Sequence, residues 1–134
     1  MSTTATDLLD AIRTHLATFK LPAELASVTV TASRCTPQIS VQLAHPDGPE
    51  IACALLAWAD TLTGVTAHTW RVPDGHSVHL SVTGRLPDGL AVQVYGGLPH
   101  TPHGPGGDLA PGTTTPVVLT ALRHLADLGE VPTR

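Results

Sequence analysis

The fold turns on residues 65–97, VTAHTWRVPDGHSVHLSVTGRLPDGLAVQVYGG. This stretch carries a short internal repeat, Val72-Pro-Asp-Gly-His76 and Leu86-Pro-Asp-Gly-Leu90. Proline fits the second position of a turn, and the glycine after Asp supplies a left-handed residue before a return strand. Read as two type I turns with a bulge, the repeat pairs Val72 with His76 and Leu86 with Leu90. Counting back, Trp70 faces Val78, His68 faces Leu80, and Val82 faces both Thr66 and Val94. Every apolar residue of the last two strands then shares one face, which predicts a three-stranded meander. Trp70, Val78, Leu80, Val82, Val92 and Val94 are the expected core of that meander.

Upstream, Leu8, Leu9, Ile12, Leu16 and Phe19 lie on one helical face of residues 5–20. Thr4 and Asp7 have the spacing of a capping box, and Pro22 ends the element. Residues 27–33 and 38–44 alternate apolar and polar side chains, as half-buried strands do, and form a hairpin. Asp47, Pro49 and Glu50 open a second helix whose stripe is Ile51, Leu55, Trp58 and Leu62, with Gly64 expected just past its end. Residues 96–112 contain six Gly and four Pro and read as a long loop. A last helix is expected from Pro116, capped by Thr115, to Leu128, with Val118, Leu122 and Leu125 inward and Gly129 ending it. The order α-β-β-α-β-β-β-α predicts a single α+β domain over residues 1–134. Its sheet is five-stranded, mostly antiparallel, with helices on one face. This element order is similar to that of roadblock-type domains of the profilin-like class, which dimerise as signalling scaffolds. The similarity is one of order alone and implies helices on both sheet faces, from which the polar face read below departs.

The chain has 134 residues, seven Lys plus Arg, and a net charge of −4. Leu, Ile, Val and Phe together make up 34 of the 134, enough to build a core. No basic cluster exists for phosphate contacts, which argues against nucleic acid. No run reaches the ~18 apolar residues of a membrane span. Residues 1–7 are polar and do not read as a secretory signal, so the expected location is the cytoplasm. Asn is absent and Lys20 is the only lysine, which points to a GC-rich genome of bacterial type. Cys35 and Cys53 fall too far apart for a disulfide, and Cys53 is expected as an inert buried thiol.

The phosphate-loop, dinucleotide, zinc-protease, nucleophile-elbow, CxxC and EF-hand patterns are all missing. No cofactor is therefore expected, and the reading leans away from an enzyme. The sheet face opposite the helices carries Thr29, Thr31, Ser40, Gln42, Thr69, Arg71, Ser77, His79, Ser81, Thr83, Arg85, Gln93 and Tyr95. Tyr and Arg are favoured at interface hot spots, so Tyr95, His79, Arg71, Arg85 and Gln93 are the candidate binding residues. Trp58, Trp70 and His68 are assigned to the core. The leading expectation is a non-enzymatic binding or scaffold module that acts through this open polar face. Its partner would be a protein or a second copy in a homo-oligomer. One alternative is an enzyme or metal-binding protein using His100, His103 and Asp108 in the Gly/Pro-rich loop, because imidazole and carboxylate ligate transition metals. A second is an acidic immunity- or inhibitor-type protein that blocks a basic partner.

Overall fold

The computed structural model describes residues 3–21, 25–33, 35–44 and 47–128. Helix α1, Ala5–Phe19, begins at Thr4, whose hydroxyl accepts from the Asp7 amide while Asp7 accepts from the Thr4 amide. This reciprocal pair satisfies two of the orphan donors at the helix start. Strands β1 (Leu25–Thr31) and β2 (Gln38–Leu43) pair antiparallel. Helix α2, Gly48–Ala59, is capped by Asp47, which accepts from the Glu50 amide. Strands β3 (Thr63–Arg71), β4 (Ser77–Arg85) and β5 (Ala91–Pro99) form the meander. Strand β6, Thr114–Val117, precedes helix α3, Leu119–Asp127. Expected ends at Pro22 and Gly129 lie outside the described residues.

Among the described residues the architecture is α+β, with three helices and a six-stranded mixed sheet in the order β1-β2-β5-β4-β3-β6. The central β2–β5 pairing is parallel. Ile39, Val41, Leu43, Leu80, Val82, Val92 and Val94 share one buried cluster with Leu8, Ile51, Leu55, Trp58 and Leu122. The three helices therefore cover one face of the sheet, unlike roadblock-type domains, which carry helices on both. No described helix is long and apolar enough to cross a membrane.

Two expectations about the chain's end are corrected. The sheet has a sixth strand, because residues 114–117 run antiparallel to β3, with Thr114 opposite Trp70 and Val117 opposite Ala67. Pro116 is tolerated there because β6 is an edge strand. The last helix accordingly starts at Leu119 rather than Pro116, and Val118 is exposed. Gly64 is also displaced. Helix α2 ends at Ala59, and Gly64, with φ +62, lies in a bulge at the start of β3.

The more consequential correction concerns register. Gly75 and Gly89 both have positive φ, as the repeat requires. The second turn closes as expected, with the Leu86 amide donating to the Leu90 carbonyl. In the first turn the Val72 amide donates to Ser77 instead of His76, so one more residue enters the loop. The expected pairing survives only at Thr63 opposite Arg85, beyond the Gly64 bulge. Between bulge and turn, β3 is slipped by one residue. In a strand a one-residue slip exchanges the two faces. Ala67, Thr69 and Arg71 therefore belong to the helix side, and Thr66, His68 and Trp70 to the open side. The turn differs because His76 is drawn outward: its carbonyl accepts from the His100 amide, extending the β4–β5 ladder by one pair.

Candidate functional site

The slip places three rings in a row across three neighbouring strands. Trp70 on β3 stands opposite His79 on β4, with ring centroids 5.1 Å apart in an edge-to-face arrangement. Tyr95 on β5 stacks on the other side of His79 at 5.2 Å. Such geometries are the favoured ones for ring quadrupoles. Gly97 lies directly opposite His79, and a Cβ there would come within 3.3 Å of the imidazole. The glycine thus leaves the room into which the His79 ring settles.

These rings floor an open concavity of about 510 Å³, walled by Ser40, His68, Ser81, Thr83, Gln93 and Thr114. None of the described residues that line it is Asp, Glu, Lys or Arg. Several hydroxyls are already engaged: Thr83 bonds Thr66 at 2.6 Å, and Ser81 donates to the His68 carbonyl at 3.5 Å. Burial keeps the His79 imidazole below its ordinary range, so the ring is neutral at neutral pH. The site can stack flat groups and exchange neutral hydrogen bonds. Its described lining offers no compensating charge for an ionic ligand.

The structure brings Tyr95, His79 and Gln93 together, with Tyr95 opposite Ser81 as the strand count requires. Two other candidates are corrected. Arg71 points to the helix side, where Nε and Nη2 donate to the Gly75 carbonyl and Nη1 to the Leu109 carbonyl. Arg85 keeps the open-face parity but sits at the end of β4, where Nη1 donates to the Gly89 carbonyl, and it does not line the concavity. Trp70 and His68, assigned by sequence to the core, belong to the site.

The Gly/Pro-rich loop is a string of hydrogen-bonded turns, with Gly104, Gly107 and Leu109 amides each donating three residues back. The His100 imidazole is 3.2 Å from the Gly107 carbonyl, and His103 is exposed. Asp108 lines a separate cavity beneath α3 with Pro105 and Gly106. No group of three His, Cys, Asp or Glu side chains that could hold a metal occurs among the described residues, so His100, His103 and Asp108 do not form such a set. Cys35 and Cys53 are free thiols, and Cys53 is exposed rather than buried.

One residue went unread in the sequence. His15, on α1, is 4% exposed and lies between Phe19 and Trp58, at ring distances of 4.6 and 5.9 Å. The helical stripe is Leu8, Ile12 and His15, while Leu9 and Phe19 are exposed. The i, i+4, i+7 spacing of His15 with Leu8 and Ile12 was the available signal.

No protein-family model, curated protein or solved structure matches this chain.

Proposed function

We propose that the chain is a non-enzymatic binding module of the cytoplasm, acting as one domain, whose open sheet face takes an uncharged segment of a protein partner. The observation that supports this reading most is the row Trp70–His79–Tyr95 on a face that no described helix covers. Rings held against one another lose little freedom on binding, which is why aromatic side chains dominate interface energetics. A lining without charged groups selects a partner segment without charge, such as one rich in proline, aromatic or small polar residues. His79 has no hydrogen bond to a carboxylate among the described residues, so no acid partner orients the imidazole as a general base. The neutral imidazole is then a ring and a hydrogen-bonding group.

Selection of random displayed peptides on the whole protein tests this. Enriched peptides should be poor in Asp, Glu, Lys and Arg. Their affinity for Tyr95→Ala should fall about thirtyfold, the effect of a central aromatic worth about 2 kcal/mol. Peptides that bind wild type and Tyr95→Ala equally would refute the sheet face as the binding surface.

A further inference from the structure

Where α1 meets the β4–β5 turn, a second hollow of about 550 Å³ opens on the helix side of the sheet, independent of the face just described. Asp7 and Asp10 from α1 and Asp88 from the turn line it, together with His15, Phe19 and Pro87. Asp10 pairs with Arg13 at 3.4 Å, but both side chains are more than half exposed, so the pairing is weak. Neither Asp7 nor Asp88 has a cationic partner among the described residues. Each spends one carboxylate oxygen on a backbone amide, Asp7 on Thr4 and Asp88 on Leu90. The other oxygen of each has no hydrogen-bond partner among the described residues.

His15 adds an independent observation. Its Nε2 lies 2.8 Å from the Thr61 hydroxyl, and that hydroxyl donates its single proton to the Trp58 carbonyl at 2.7 Å. Thr61 must therefore accept, and Nε2 carries the hydrogen. The neutral ring then presents Nδ1 as an acceptor without a partner among the described residues. Trp58 Nε1, and not His15 Nδ1, is the side-chain atom both sealed from solvent and unpartnered among the described residues, and His15 lines the hollow. Phe19 lies beside the imidazole and supplies a ring face, and Pro87 supplies an apolar wall.

We propose that this hollow is a binding site for a primary ammonium group on an apolar stem. The nitrogen would donate to His15 Nδ1 and to the free carboxylate oxygen of Asp88, and the stem would pack on Phe19 and Pro87; Asp7, two turns up α1 and about 12 Å from His15, lies too far to share the same nitrogen. The Asp88 carboxylate supplies the countercharge, the imidazole supplies an oriented acceptor, and the phenyl face attracts a cation. A metal ion is disfavoured, because no three-ligand set is present among the described residues. The same chemistry arrives either as a free amine or as a lysine side chain of another protein.

The test is titration of the whole protein at pH 7.5 with phenethylammonium, with phenethyl alcohol as the uncharged isostere and a blocked pentapeptide carrying one lysine. Binding is followed by the His15 ring signals in NMR. Phenethylammonium should move them saturably, and the alcohol should bind at least tenfold more weakly. Asp88→Asn keeps the shape and the bond from the Leu90 amide but removes the charge, and it should weaken the amine at least tenfold. Tighter binding of the peptide than of phenethylammonium assigns the site to a protein lysine, and the reverse order to a small amine. Equal binding of amine and alcohol, no saturable shift with either amine or peptide, or unchanged affinity in Asp88→Asn overturns the proposal.

Discussion

Trp70 and His79 face each other across β3 and β4 on the side of the sheet that no described helix covers, with their rings edge to face at 5.1 Å. The pairing puts one of the chain's two tryptophans at the surface site and leaves the other, Trp58, fully buried. The two should therefore behave oppositely. Iodide should quench the emission of Trp58→Phe, where Trp70 remains, and barely touch that of Trp70→Phe. Trp58→Ala should cost about 3–5 kcal/mol as a large-to-small core change, and Trp70→Ala about 1 kcal/mol. Equal quenching of the two single-tryptophan variants would restore the register read from sequence.

The contact between Gly96 and Ile51 makes a second test of how the helix layer sits. Gly96 lies opposite Leu80 on the covered face, and a Cβ there would come within 2.8 Å of Ile51 Cγ2. Real side chains do not approach that closely, so α2 must move or Ile51 must leave its rotamer. Gly96→Ala should cost about 1–3 kcal/mol in chemical denaturation. In an Ile51→Ala background the added methyl fills space that the isoleucine vacated. The double mutant should then be more stable than the sum of the single changes by about 1 kcal/mol. Additive costs would mean that β5 and α2 are not in contact at this point.

Much of this was legible because the signals are local. The caps at Thr4 and Asp47 are satisfied within three residues, and the left-handed glycines of the two turns are fixed by their neighbours. The β4–β5 register followed from a clean alternation of Val78, Leu80 and Val82 against Val92 and Val94. Strand β3 has no such alternation: Ala67, Thr69 and Arg71 face inward while Trp70 faces out. Size and hydrophobicity argued for the opposite choice. The deciding contacts are distant, namely the His100 amide on His76 and the Arg71 guanidinium on Leu109. Strand β6 escaped for a related reason, since it exists only through pairing with β3. Its Thr-Thr-Pro-Val sequence reads equally well as a helix start.

Stability should fall as the solution is acidified below neutrality. Desolvation by burial lowers the pKa of His15 and of His79 from the ordinary 6.5, and for His15 the Asp88 carboxylate opposes the shift. The unfolded chain thus takes up protons at a pH where the folded chain does not, and stability rises with pH across that window. The contribution is fully present above about pH 6.5 and is lost as pH falls through the lowered folded values. The melting temperature should drop between pH 7 and pH 5. His15→Phe combined with His79→Phe should flatten that slope. Asp7, lowered from 3.8 by its bonds to Thr4, acts in the same direction only at still lower pH. A slope that persists in the double variant would place the responsible groups elsewhere.

Arg71 carries the last prediction, because the slip that brings Trp70 into the site takes Arg71 out of it. Its guanidinium donates twice to the Gly75 carbonyl, at 3.2 and 3.1 Å, and once to the Leu109 carbonyl, at 2.7 Å. It thereby ties the β3–β4 turn to the Gly/Pro-rich loop, whose Gly112 amide also reaches back to the Arg71 carbonyl. Hydrogen bonds from a charged donor contribute about 1.5–3 kcal/mol each when both ends are held, less where solvent reaches them. Arg71→Met keeps the apolar stem and removes every donor, so it should lower stability by about 2 kcal/mol. Protease cleavage within residues 100–112 should rise with it, because the loop opens locally before the fold does. Arg71→Lys should not rescue the loop, since an ammonium cannot span the two carbonyls as a planar fork does. Peptides selected on the sheet face should bind Arg71→Met as they bind wild type, in contrast to Tyr95→Ala. Unchanged cleavage in Arg71→Met would mean that the loop's own turns hold it, and weakened peptide binding would return Arg71 to the site.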